Sequence, residues 1–114
     1  MGAIDHLVSD DPRADSLRDA FVIKVIPIIN PDGVYRGHFR SDQWGVNLNR
    51  MYLDPTLEAH PTVYGIRKIV EYFKDKIYFY IDCHSHSNKR STFIFGNCMD
   101  YYKCIDNYMF AKLM

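Results

Sequence analysis

The 114-residue chain has no excess charge of either sign, because 14 Lys and Arg balance 14 Asp and Glu. That balance excludes a nucleic-acid binder that relies on bulk attraction to phosphate, while leaving local basic clusters open. Long apolar runs are absent too. None approaches the roughly 20 residues needed to cross a bilayer, and the first residues lack the basic-then-apolar pattern of a secretory leader. Met1-Gly2 invites a myristoylation reading, but His6 stands where that signal wants Ser or Thr. Neither nucleic acid nor membrane is therefore an expected partner, and a cytoplasmic location is the expectation. Cysteine is scarce: Cys83, Cys98 and Cys104 form an odd set without CxxC spacing. They cannot build a four-cysteine zinc site and do not suit a secreted disulfide framework, so buried or partly buried free thiols are expected. Internal repeats, low-complexity tracts and interdomain linkers are also lacking. The remaining composition, 47% hydrophobic and 25% charged, suits a single small globular domain.

What is present begins with residues 77–86, IYFYIDCHSH. The β-branched and aromatic run reads as a buried strand that breaks into polar residues at its carboxyl end. If the chain stays extended there, Asp82, His84 and His86 point to one face and Cys83 and Ser85 to the other. Three groups able to bind metal or move protons then share one surface, at the kind of strand terminus where α/β sheets bind ligands. The plainer alternative is that one histidine caps the strand and the others face solvent.

A second strand is predicted at residues 21–29, FVIKVIPII, nearly continuous in apolar character and suited to a strand covered on both faces. Residues 1–8 carry Ile4, Leu7 and Val8 at helical spacing. Asp10-Asp11-Pro12 supplies an N-cap and a first-turn proline for a short helix through Ala20. Asn30-Pro31-Asp32-Gly33 predicts a turn that ends the strand. Residues 34–55 show little periodicity and are rich in Arg, Asn, Asp and Gly, the profile of a functional loop. His60-Pro61 opens a helix with Val63, Ile66, Ile69, Val70 and Phe73 on one stripe, weakened slightly by Gly65. A short strand is expected at residues 91–95 and a final helix over 100–114, including Tyr101 and Met114. The alternation of strand and helix predicts an α/β layer with a partly parallel, mixed sheet.

Four motifs occur in a telling order: Asn30-Pro31-Asp32-Gly33, Gly37-His38-Phe39-Arg40, Gly45-Val46-Asn47-Leu48-Asn49-Arg50, and Asp82-Cys83-His84-Ser85-His86 followed by Lys89-Arg90. Each alone is weak; together, in register, they are specific. On them the chain resembles the cytosolic carboxypeptidases, a branch of the zinc metallocarboxypeptidase superfamily, from Asp10 to Asn97. Within that branch, residues 36–40 and 84–90 are most similar to the group named cytosolic carboxypeptidase-like protein five. The resemblance implies a metallocarboxypeptidase-type mixed sheet flanked by helices. It implies a zinc cofactor and removal of glutamate from acidic protein tails, chiefly tubulin, in the cytoplasm or at microtubules and cilia.

Residue by residue, the resemblance makes His84 the third zinc ligand, with Asp82 and His86 beside it as supporting or substrate-side groups. It makes Asn49 and Arg50 the pair that holds the substrate's terminal carboxylate, a task suited to a planar guanidinium fork and a directional amide. Arg40 becomes the donor that polarises the scissile carbonyl and stabilises the oxyanion. Arg36, His38, Lys89 and Arg90 are either a positive field for polyglutamate or an ordinary solvated surface. Parts of the family pattern have no counterpart. None of His6, His38, His60, His84 and His86 has Glu three residues on, so the first two zinc ligands are missing, and so is the family's general-base glutamate. Residues 1–114 are thus expected to be the central part of a single catalytic domain, incomplete at both ends and inactive in isolation. The competing expectation is a non-catalytic module that binds acidic carboxy-terminal tails.

Overall fold

Asp11 and Pro12 open a helix as their spacing predicts. In the computed structural model, which describes residues 2–97, 100, 102 and 104–113, the Asp11 carboxylate accepts from the Arg13 N–H at 2.8 Å and Pro12 occupies the first turn. The helix elements are α1 (Gly2–Leu7), α2 (Pro12–Ala20), α3 (Pro31–Arg36), a 3-10 turn (Leu48–Arg50), α4 (Pro61–Phe73) and α5 (Cys104–Leu113). The chain divides into two compact units, one ending at Ile77 and one beginning at Tyr78. Cys98, Tyr101 and Met114, which entered the sequence expectations, lie outside the described residues.

In the first unit α1 and α2 form a small helical corner. The Arg18 guanidinium donates to the Leu7 and Ser9 carbonyls and pairs with Asp15, and the Ser9 hydroxyl donates to His6 O at 2.7 Å. These bonds satisfy the carbonyls that α1 leaves open at its end. The buried apolar side chains are few: Ala14 from α2, and Val63 and Ile66 from the inner stripe of α4. Pro61 sits at the first position of α4, where its missing N–H costs nothing. Along the outer face Glu71 accepts from both Arg67 and Lys68 at 2.8 Å, and Arg67 also donates to Leu53 O at 2.7 Å. Lys24 reaches α4 as well, its Nζ 5.0 Å from the centre of the Phe73 ring.

The expected mixed sheet is not formed: among the described residues there is no strand at 21–29, 77–81 or 91–95. Apolar and β-branched composition makes a segment fit for a pleated surface, but a strand exists only when a neighbour completes its hydrogen-bond ladder. None of the three runs finds that neighbour, and each leaves apolar residues exposed, Val22 at 88%, Ile81 at 69% and Phe95 at 77%. Asn30-Pro31-Asp32-Gly33 is also corrected. It starts α3, with the Asn30 side chain accepting from the Gly33 N–H at 3.0 Å and Pro31 in the first turn. The same residue types serve turns and helix starts, and here three further helical residues follow. Gly37 ends α3 at φ 72°, a left-handed conformation that glycine takes without penalty.

The second unit is mostly irregular up to α5. Phe79 lies with its ring centre 4.5 Å from that of Phe110 of α5, and Phe93 packs edge-on to Phe95 at 5.3 Å. Cys83 is exposed and Cys104 half-buried, so the expectation of at least partial burial fails for Cys83. Cys83 lies in the run that found no sheet to cover it.

Candidate functional site

The loop that follows α3 is built around one buried carboxylate. Asp42 is only 7% exposed, and its Oδ1 accepts from the backbone N–H of Trp44 and of Val46, each at 2.8 Å. Its own N–H donates to Val46 O at 2.8 Å, and Gly45, at φ 81°, returns its N–H to Asp42 O at 3.2 Å. Residues 42–46 are thereby closed into a tight turn whose two ends face each other. A short polar side chain that bonds backbone two residues on is the usual device for such a turn, and burial sharpens the requirement that every partner be present.

Two further bonds tie this turn to α3. Asn30 Nδ2 donates to Ser41 O at 3.0 Å, and His38 donates from Nδ1 to Asp42 O at 3.0 Å. Gly33 is where the two segments press together: a methyl group there would meet the Asn30 side chain and come within 2.5 Å of Ser41 O. Farther along, the Asn47 side chain accepts from the Asn49 N–H at 3.1 Å and so starts the 3-10 turn that carries Asn49 and Arg50. His60 anchors the far side, 9% exposed, with Nδ1 accepting from the Thr56 N–H at 3.3 Å. A small open cleft of about 90 Å³ lies among Asn30, Asp32, Trp44, Leu48, Glu58 and Thr62.

Arg40 precedes the closed turn by two residues, and Asn49 and Arg50 follow it by three and four; all three side chains are exposed. Among the described residues no carboxylate pairs with Arg40 or Arg50, in contrast to Arg13, Arg18 and Arg67. Arg13 shows what such pairing does: the Asp11 carboxylate raises its pKa, and the guanidinium in turn holds Asp11 below the usual carboxylate range. The Arg40 guanidinium rests over its neighbour's ring, 5.1 Å from the Phe39 centre.

Within the second unit the structure brings Asp82 and His84 together, His84 Nε2 donating to Asp82 Oδ2 at 3.0 Å. His86 does not join them. Its Nδ1 accepts from the Asn88 N–H at 3.1 Å, and its ring stands edge-on to Phe93 at 5.6 Å. The shared face expected of Asp82, His84 and His86 is thus reduced to a pair. Among the described residues no group of three His, Cys, Asp or Glu side chains could hold a metal ion. A protein zinc site uses at least three such donors, so the residues present do not by themselves make one. Lys89 and Arg90 are exposed.

The sequence marks His60 only as the residue that opens α4 with Pro61, and it does not mark Asp42. The Asp42-Gln43-Trp44-Gly45 string does carry a turn signal, an aspartate followed by a glycine three residues on, but nothing in it announces burial.

Comparison with known proteins follows this geometry. A family model described as zinc carboxypeptidase matches residues 1–100. The chain is 44% identical over 104 residues to cytosolic carboxypeptidase 6 of Mus musculus, a match covering 88% of the chain and 19% of that protein. With the Homo sapiens protein of the same name the identity is again 44%, over 88% of the chain and 21% of the relative. Identity is higher over a shorter stretch with cytosolic carboxypeptidase-like protein 5 of Mus musculus: 53% over 72 residues, 62% of the chain and 8% of the relative. The chain therefore spans about a fifth or less of the length of these curated relatives.

Proposed function

The chain belongs to the zinc carboxypeptidase family, and from that premise we propose that it is the substrate-holding, central part of a catalytic domain that removes glutamate from acidic protein tails such as those of tubulin. The observation that carries this reading is the pair of exposed arginines, Arg40 and Arg50, on either side of one closed turn and without carboxylate partners among the described residues. An exopeptidase has to recognise a terminal carboxylate, and a guanidinium free of internal partners is the side chain best shaped to grip it with two parallel bonds. Arg50 takes that role, Asn49 adds a directed amide donor, and Arg40 supplies positive charge where the scissile carbonyl develops its oxyanion. The adjoining cleft, lined by Asp32, Asp42 and Glu58, is negative and ill suited to an acidic tail, which leaves the exposed arginines to receive it. Arg36 is a further exposed positive charge of the same unit, and Lys89 and Arg90 are exposed positive charges of the second unit. Association with microtubules or cilia stands or falls with tubulin as substrate.

Zinc is the family's metal, and His84 is the residue of this chain assigned to it. Because Asp82 occupies Nε2, Nδ1 is the nitrogen left with an open lone pair. One imidazole is too few for a stable centre, so a zinc titration of the 114 residues should give weak binding; tight stoichiometric binding abolished by His84→Ala would overturn that statement.

A second reading is a module that holds acidic carboxy-terminal tails without cleaving them. It is favoured by the same free arginines standing in a chain whose described residues include no three-donor metal group. One experiment addresses both. A polyglutamate peptide with a free terminus should bind about tenfold more tightly than its amidated form, lose that preference in Arg50→Ala, and weaken with added salt. Indifference to amidation and to Arg50→Ala would remove the carboxylate grip from both readings. Release of glutamate by a longer protein that contains residues 1–114 and binds zinc, lost in its Arg50→Ala form, would decide for the catalytic one.

A further inference from the structure

The carboxylate grip and the oxyanion donor proposed above lie on opposite sides of a turn that a single buried side chain holds shut. We infer that Asp42 is a positioning residue: by accepting from the Trp44 and Val46 N–H groups, it sets the separation of Arg40 from Asn49 and Arg50. This inference rests on the carboxylate-holding reading and deepens it.

The argument starts from the bonds. Asp42 makes three contacts at 2.8 Å within the turn, two with Val46 and one with Trp44: Asp42 N–H to Val46 O, Val46 N–H to Asp42 Oδ1, and Trp44 N–H to the same oxygen. Two of the three depend on the side chain. Without it, two inward-facing N–H groups lose their acceptor, and the ends of the turn are held by one backbone bond and the weaker Gly45 contact at 3.2 Å. Arg40 is anchored from the preceding side, through Ser41 O on Asn30 Nδ2 and Asp42 O on His38. Asn49 and Arg50 are anchored from the following side by Asn47. Each half is held locally, and the carboxylate of Asp42 is what joins them. Two groups that must hold opposite ends of one peptide bond and its terminal carboxylate need a fixed spacing, since a displacement of about 1 Å forfeits much of the advantage of orientation.

Asp42 does not contact the substrate in this account; its carboxylate is 7% exposed and engaged with backbone. Substituting it therefore acts on discrimination, and the conservative change should rescue it. Asp42→Asn keeps an accepting oxygen, whereas Asp42→Ala and Asp42→Leu remove it.

The test uses the whole 114-residue chain and a polyglutamate peptide in free-acid and amidated forms, with binding read from the fluorescence of the single tryptophan, Trp44. Amide exchange at Trp44 and Val46 is measured on the same samples. The expected result is that Asp42→Ala cuts the free-acid preference about tenfold and leaves binding of the amidated peptide within about twofold, a loss the size of two unmade buried hydrogen bonds. Asp42→Asn should keep the preference. General unfolding would instead lower both peptides together, and loss of the preference in Asp42→Asn overturns the inference even if the alanine variant does not fold. Fast exchange at Trp44 and Val46 in Asp42→Ala with the preference intact overturns positioning and leaves the carboxylate grip standing. Absence of any preference in the unaltered chain overturns the grip, and positioning with it.

Discussion

Residues 30–62 and residues 78–97 carry the two halves of the candidate chemistry, and they are held in different ways. In the first, several polar side chains bond backbone a few residues away: Asn30 to Gly33, Asp42 to Trp44 and Val46, Asn47 to Asn49, His60 to Thr56. In the second, one exposed pair, Asp82 and His84, stands on a run whose apolar residues face outward. Short-range bonds between side chain and backbone fix geometry wherever the segment goes. Extended apolar segments acquire theirs only from partners distant in sequence, and the difference teaches that residues 30–62 carry their own geometry while residues 78–97 depend on their surroundings for it.

The sharpest way to break the contrast is Gly33→Ala. An added methyl presses on the Asn30 side chain and on Ser41 O, and overpacking against backbone should cost about 3 kcal/mol. Amide protection at Trp44 and Val46 should collapse, while the Phe93 and Phe95 ring signals stay as they are. Protection that survives would show that α3 and the closed turn are not pressed together at Gly33.

Gly65→Ala should move stability the other way. The position is helical and open, with nothing within 4 Å of an added methyl, so α4 should gain about 1 kcal/mol. The gain should appear as slower exchange through α4 and around His60, with no change at residues 78–97.

On the histidine side, Asp82→Ala should cost about 0.5 kcal/mol or less, as exposed pairs do. Its signature is local: nitrogen shifts of His84 should report the Nε2–H tautomer in the unaltered chain and a mixture in the variant. An effect reaching Trp44 would contradict the separation of the two regions.

The smallest effect expected is with pH. Hydrogen bonds from Lys68 and then Arg67 hold the Glu71 carboxyl below its ordinary range. A folded-state pKa lowered in this way contributes stability above the ordinary glutamate range and loses it as pH falls through the lowered value. Lys68, raised by the same Glu71 contact, keeps its share below the ordinary lysine range and loses it as pH rises through the raised value. Circular dichroism of α4 should thus be flat around neutrality and decline slightly at both extremes, less so in salt.

Much of the local structure was legible because its causes are local. Asp11 and Pro12 announced α2, and the stripe of Val63, Ile66, Ile69, Val70 and Phe73 after His60-Pro61 announced α4, although Ile69 of that stripe is exposed. Arg40, Asn49 and Arg50 stand out in the sequence as motifs, with the roles proposed above, and the structure adds the Asn47 bond that starts the turn carrying Asn49 and Arg50. The sheet was misread because residues 21–29 and 77–81 advertise fitness for a strand and not the partner that would make one. The burial of Asp42 was hidden because it follows from α3 and the loop meeting at Gly33, a contact between segments that composition does not encode.

Lys24 has a consequence of a different sort. It is the single charged residue in 21–29, a β-branched stretch that lies open to solvent, and Pro27 interrupts the same stretch three residues on. A charge and a proline are the two commonest gatekeepers against cross-β stacking, because one repels an identical copy and the other removes a ladder donor. With its ammonium group held near Phe73, Lys24 keeps that charge in the middle of the exposed stretch, where a fibril would have to bury it. For this stretch, resistance to self-stacking therefore rests on a side chain with no part in the site proposed above.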